Sequence, residues 1–192
     1  HALCDIVRPG DWIYDIGSFQ GLFSLLGAMR AGPTGKVVVF EPLPQNRDAT
    51  IATLRDNGMD GRLLMVPFAC SDRDETLTLY FGANTSEASI LRLGARESVA
   101  VPAISLDSFV AGRRLPDVVK MDVEGAEEKV LRGATQLLTA PNAPAWIIEV
   151  HSEPLEQAIT ALLAQHNYSI RWLETWHPNP KQYPRHLFAA KR

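Results

Sequence analysis

The sequence predicts an α/β fold built around a mostly parallel sheet, and three observations carry that prediction. Segments of strand and helix character alternate along most of the chain, the order that lays helices over both faces of one sheet. The run Lys36-Val-Val-Val-Phe-Glu41 is apolar without interruption through its middle, as a central strand covered on both faces requires. Gly17 and Gly21 separate the apolar run Trp12-Ile13-Tyr14 from the helix-like stretch Leu22-Phe-Ser-Leu-Leu26, a turn of the kind at which α/β sheets hold ligands.

The elements follow in order. The first strand covers 12–16, and a helix runs from about Gly21 to Arg30, stopped by Gly32-Pro33. The second strand is 36–41. Pro44 to Asn57 reads as a helix with Gly58 as its stop, and 63–68 as the third strand. Residues 72–102 break the rhythm: 77–81 alternates like a half-exposed strand, 82–89 is a small polar loop, and 99–101 is another short strand. This stretch is read as a small β insertion between the third and fourth core strands. Alternation resumes with a strand at 117–121, a helix at 126–138, a strand at 145–150 and a helix at 153–166. Two late strands, 168–173 and 186–190, flank a Pro-rich loop at 177–184 and are expected to pair antiparallel, which makes seven core strands.

The length of 192 residues fits one domain spanning 1–192, and a start on His-Ala is compatible with a piece of a longer chain. A net charge of −3, with no block of like charges, leaves no electrostatic footprint for nucleic acid or an anionic membrane. Cys4 and Cys70 alone make neither a disulfide framework nor a zinc spacing, which favours a reducing, cytoplasmic setting. No apolar run approaches the roughly 20 residues of a membrane span, and no signal peptide is visible. The oligomeric state is left open.

Open α/β sheets bind ligands beyond the C-terminal ends of their strands. At those ends stand Asp15, Glu41, the segment Ala69–Asp72, Asp122 with Glu124, and Glu149 with His151. The turn at 15–21 fits the dinucleotide fingerprint G-x-G-x-x-G poorly: aligned on Gly17, the first glycine falls on Asp15 and the third on Gln20. A pyrophosphate is disfavoured by that acid, whereas the ammonium and sulfonium of S-adenosylmethionine tolerate it. Asp-x-Gly-x-x-x-Gly is instead similar to the first motif of class I methyltransferases that use this donor. Glu41, about twenty residues past the loop, suits both hydroxyls of a ribose, a device that nicotinamide enzymes share.

A more specific resemblance covers nearly the whole chain. Phe40-Glu41-Pro42-Leu43-Pro44-Gln45-Asn46 resembles the F-E-P-x-P-x-N signature of the FkbM family of methyltransferases. Pro9-Gly10-Asp11 with Asp15-Ile16-Gly17, Ala69-Cys70-Ser71-Asp72 and Ser105-Leu106-Asp107 are similar to further family segments. So are Lys120-Met-Asp122-Val-Glu124-Gly-Ala-Glu127, Val130-Leu-Arg-Gly-Ala134 and Ile148-Glu-Val-His151. The resemblance implies the class I methyltransferase (Rossmann-like) fold, S-adenosylmethionine as donor, and O-methylation of a hydroxyl on a sugar or other natural product. It implies a donor site made by Asp15, Gly17, Ser18, Phe19, Gly21, Glu41, Pro42, Asn46, Ala69, Ser71 and Asp122. The departure lies in the loop, where the family reads D-x-G-A-N-x-G and this chain has Ser18 and Phe19. A phenylalanine cannot make the hydrogen bonds of that asparagine.

For chemistry, Asp122 is the first candidate to accept the proton of an acceptor hydroxyl or to orient it, with Glu124 and His151 beside it. Asp122 and Glu124 lie two apart and share a side if the strand continues through them; Glu149 and His151 repeat the spacing on the next strand. Such a set suits a divalent cation that acidifies the acceptor, although a His151 that acts as base or supports a reacting group from behind, without metal, is the favoured reading and a structural His151 is the third; no residue is assigned to a metal. Lys120 either pairs with a carboxylate or lines the crevice. Trp172, Trp176, His177 and Tyr183 either pack the core and surface, their default, or stack on an acceptor ring, and 82–89 has the composition of a lid. Two alternatives stand beside the enzyme: a degenerate member that binds the donor or a partner without turnover, which Phe19 favours, and a nicotinamide oxidoreductase, which the missing fingerprint disfavours.

Overall fold

The computed structural model describes residues 2–81, 88–89, 97–173 and 182–191. A short helix not expected from the sequence, α1 (Ala2–Ile6), precedes β1 (Trp12–Ile16), α2 (Leu22–Ala31), β2 (Lys36–Phe40) and α3 (Pro44–Asp56). After β3 (Leu63–Val66) come β4 (Ala69–Ser71), β5 (Glu75–Phe81), β6 (Ala88–Ser89) and β7 (Glu97–Ser105). Then follow α4 (Leu106–Val110), β8 (Val118–Met121), α5 (Glu127–Arg132), α6 (Thr135–Thr139), β9 (Ala145–Val150), α7 (Glu153–Gln165), β10 (Tyr168–Trp172) and β11 (Arg185–Lys191).

Seven strands form the main sheet in the order β10-β11-β9-β8-β1-β2-β3. Its core is parallel, and β11 runs antiparallel between β10 and β9, so the late pair is as expected. The alternation along each strand divides the core into two layers. Tyr14, Val38, Phe40, Val119 and Met121 pack toward the face that also buries Leu131, Leu137 and Leu163. Ile13, Val37, Val39 and Val118 face the other way, against Leu3, Ala28 and Leu54. Asp15 shares the face of Ile13, and the register sets it opposite Lys120.

The strand read at 99–101 is longer, running over Glu97–Ser105, α4 is a further short helix that the sequence reading lacks, and two runs read as single elements end early or divide. The run at 63–68 does not stay one strand: Pro67, which has no N–H to give to a ladder, ends the pairing of β3, and β4 joins a second sheet of order β4-β7-β5-β6. The helix expected over 126–138 divides into α5 and α6 at Gly133. A Cβ on Gly133 would stand 2.2 Å from the carbonyl oxygen of Ser71, so the chain approaches the backbone of β4 too closely for any side chain. The second sheet carries its own small core of Leu43, Ala69, Leu79, Val101 and Ala103, and this is the expected insertion.

Candidate active site

The C-terminal ends of β1, β2, β8 and β9 open on a cavity of about 320 Å³. Gly17, Phe19, Glu41, Pro42, Asn46, Ala69, Asp122, Glu124 and Glu149 line it, as do Leu77 and Leu79 from the second sheet. Asp15, Ser18, Gly21, Ser71 and His151 are not part of its lining.

The loop after β1 has the shape its glycines permit. Gly17 has φ 77°, and a Cβ there would fall 1.8 Å from the carbonyl oxygen of Asp122, so β1 and β8 end in direct backbone contact. Gly21, at φ 82°, lies against Thr50 of α3. Phe19 takes φ 51° between them. Thr50 Oγ1 donates to the Phe19 carbonyl at 3.2 Å and lies 3.0 Å from Ser18 Oγ, so α3 holds the middle of the loop. Thr50 was not a sequence candidate.

Asp15 sits beneath this loop rather than in the cavity wall. It is buried, accepts a hydrogen bond from Ser24 Oγ, and has Lys120 Nζ 3.4 Å from Oδ1. Lys120 is buried as well. It donates to the carbonyl of Gly17 at 2.8 Å and stands 3.7 Å from Asp122 Oδ2, joining the ends of β1 and β8. Of the two roles expected for Lys120, pairing with carboxylates is the one observed.

Glu41 is buried at the end of β2. Its Oε2 accepts from the N–H of Phe19 at 3.2 Å and its Oε1 from the N–H of Leu43 at 3.0 Å. Burial pushes its carboxyl above the ordinary range, against the lowering effect of those two hydrogen bonds and one from Asn46. A carboxylate has about four acceptor positions, so capacity for a ligand hydroxyl remains.

A second polar group lies at the ends of β8 and β9. The strand does not continue through Asp122 and Glu124: β8 ends at Met121, and Glu124 turns at φ 51°. Both carboxylates nonetheless reach His151, with Nε2 3.7 Å from Asp122 Oδ1 and 3.4 Å from Glu124 Oε2. Glu149 Oε1 is 4.0 Å from the same nitrogen, while its Oε2 lies 3.0 Å from His186 Nε2. Behind the ring, Nδ1 is 2.7 Å from Oε1 of Glu127, a wholly buried residue.

The protonation of this group follows from its charges. Burial pushes the Asp122 carboxyl up, and the nearby Lys120 only partly opposes it. Burial acts on Glu149 in the same direction but is outweighed by the hydrogen bond and charge of His186, which hold it below the ordinary range. For His151, burial favours the neutral ring, and the hydrogen bond to Glu127 with the charges of Glu127, Glu124 and Asp122 outweighs it, raising the pKa to about 9. The site therefore favours positive charge at the imidazole. Cys70 also lines the cavity, but burial raises its thiol pKa and leaves it a small apolar contact.

Glu127 and His186 went unrecognised as partners of the strand-end residues. Glu127 is visible in the sequence as part of the 120–127 segment, but only the fold shows that it reaches His151. Trp172 and Tyr183 pack on the main core. Arg185 lies 3.9 Å above the Trp172 ring, and the Tyr183 hydroxyl donates to Glu156. Trp176, His177 and residues 82–87 of the expected lid lie outside the described residues. Ala88–Ser89 forms β6, from which Ser89 Oγ donates to the carbonyl of Glu124.

Comparison with known proteins bears on the family and the fold. The profile of the Methyltransferase FkbM domain matches residues 15–170. The chain belongs to the FkbM methyltransferase family. Over 168 residues it is 27% identical to the hexuronic acid methyltransferase AglP of Haloferax volcanii, covering 85% of this chain and 65% of that protein. The methyltransferase FkbM from Methylobacillus flagellatus superposes with a TM-score of 0.68 at 17% identity, covering 97% of this chain and 49% of that one. An S-adenosylmethionine-dependent O-methyltransferase from Thermotoga maritima gives a TM-score of 0.59 at 14% identity, over 99% of this chain and 62% of the other. The two structures share the class I methyltransferase fold with this FkbM chain. The chain thus spans less than two thirds of AglP and between about half and 62% of these two structures. Among the described residues, no helix is long and apolar enough to cross a membrane.

Proposed function

We propose that this FkbM domain transfers a methyl group from S-adenosylmethionine to a hydroxyl of a sugar or related small molecule. The observation that carries the reading is the pairing, in one cavity, of Glu41 at the end of β2 with Asp122 at the end of β8. Glu41 presents two carboxylate oxygens that backbone N–H groups already hold in place, which suits the two hydroxyls of the donor's ribose. The buried Oδ1 of Asp122 has no hydrogen-bond partner among the described residues, so a polar ligand group is the natural complement at that end. The donor, when bound, supplies an electrophilic methyl on a sulfonium.

The chain's own residues divide the remaining tasks. The left-handed turn at 17–21 leaves room for a ligand at the end of β1. Asp15 and Lys120 support that turn from below through the carbonyl of Gly17. Leu77, Leu79 and Ala69 give an apolar wall beyond Glu41, fit for a flat base. Asp122 and Glu124 form the acidic end, where an acceptor hydroxyl is oriented and its proton received. His151, held positive by the acids around it, acts here by placing those carboxylates. A sugar acceptor is the analogue of what AglP acts on.

The test is transfer of label from methyl-labelled S-adenosylmethionine to a panel of neutral, amino and acidic sugars and other hydroxylated compounds. The expected outcome is label in at least one acceptor. Asp122→Asn is expected to lower turnover by about 100-fold or more while S-adenosylhomocysteine still binds. Binding with no label in any acceptor supports instead the reading of a donor-binding domain without turnover, to which the strained Phe19 turn lends some weight.

A further inference from the structure

We infer that Asp122, Glu149 and His151 form a binding site for a divalent cation of the manganese type at the acidic end of the cavity. His151 and Glu149 are each held from behind through one atom at hydrogen-bond distance, Asp122 has the Lys120 ammonium beside one oxygen, and each residue keeps another ligand atom. Nδ1 of His151 is taken by Glu127 at 2.7 Å, Oε2 of Glu149 by His186 at 3.0 Å, and Oδ2 of Asp122 faces Lys120 at 3.7 Å. The remaining ligand atoms are Oε1, Oδ1 and Nε2, which has Glu124 Oε2 3.4 Å away and whose proton a cation would displace; one ligand atom from each residue lies within 4.8 Å of the others. A buried carboxylate behind a histidine is how proteins fix the tautomer and direction of a metal-binding ring.

The inner distances do not describe hydrogen bonds. Nε2 stands 3.7 Å from Asp122 Oδ1 and 4.0 Å from Glu149 Oε1, whereas a charge-assisted bond is about 2.7–2.9 Å. An ion about 2.0–2.2 Å from each ligand sets ligand pairs roughly 3 to 4.3 Å apart, so small side-chain rotations suffice. A second observation points the same way: Oδ1 of Asp122 is buried and has no hydrogen-bond partner among the described residues. A cation would satisfy it without displacing Lys120 from Oδ2.

The donor set selects the ion. Two carboxylates and one imidazole with no thiolate suit manganese and its harder neighbours rather than soft metals. Three protein ligands leave positions open for water or an acceptor hydroxyl, whose proton the ion makes easier to remove. That role rests on the methyl-transfer reading, but the binding itself does not, and the two can fail separately.

The experiment follows free Mn²⁺ by electron paramagnetic resonance as the metal-stripped full chain is added, with S-adenosylhomocysteine calorimetry in parallel. Expected is one saturable site per chain, weakened about 10-fold or more in His151→Ala and Glu149→Gln. Glu127→Gln, which touches no ion, should weaken it by about 10–100-fold through the ring it orients. Glu128→Gln, on the exposed side of α5 facing Arg132, should bind as the parent does. A parent chain that binds S-adenosylhomocysteine yet leaves the Mn²⁺ signal undiminished overturns the cation site and spares the methyl-transfer reading. Equal Mn²⁺ affinity in the parent and Glu149→Gln overturns the site as well. Mn²⁺ binding without S-adenosylhomocysteine binding upholds the site and counts against the donor.

Discussion

Phe19 occupies a backbone position that suits another residue. Its φ of 51° lies in the left-handed region, where a β-carbon meets the carbonyl oxygen, and asparagine is among the few residues that visit it readily. The family pattern has asparagine at this place, so the conformation explains that preference without any contact to a ligand. The backbone still functions, since the Phe19 N–H reaches Glu41. Phe19 is 42% exposed, so replacing it gives up only part of a phenylalanine's burial. Phe19→Asn is therefore expected to raise stability by about 1 kcal/mol, read as a higher urea midpoint; a lower midpoint would contradict the strain. The sequence marks position 19 as odd only through a resemblance, because φ is not written in residue type. Asp15 teaches the converse. Its importance is legible, and strand alternation with Ile13 already holds the information that it faces α2.

Among the elements, those with a simple period were legible and those decided by contact were not. β1 and β9 fall at 12–16 and 145–150 as read, because a mostly apolar run broken by a single acid near its end needs no partner to declare itself. The division of α5 from α6 is different. Val130-Leu131 and Leu137-Leu138 are buried on both sides of Gly133, and the helical period runs across the break. Only the backbone of β4 pressing on Gly133 reveals it. Gly133→Ala should force that contact apart and cost roughly 1–3 kcal/mol in denaturant unfolding. A change within a few tenths of a kcal/mol would mean that α5 can shift from β4 freely. α1 escaped notice because five residues give no period to read.

At the scale of the whole molecule, the strand order brings residues from 16 to 149 around one opening, and the rule that ligands sit beyond strand ends singled out Glu41, Ala69, Asp122, Glu124 and Glu149 of its wall. What it did not foretell is the support from behind: Thr50 under the loop, Glu127 behind His151, and Leu77 with Leu79 closing the apolar side. These are long-range pairs made by helices and by the second sheet, and no local pattern encodes them. The central claim is that this opening is built for S-adenosylmethionine rather than for a nicotinamide. Calorimetric titration of the chain with S-adenosylhomocysteine and, separately, with NAD tests it most directly. The account predicts saturable heat with S-adenosylhomocysteine, lost in Glu41→Ala, and none with NAD. Saturable binding of NAD with no response to S-adenosylhomocysteine would contradict it.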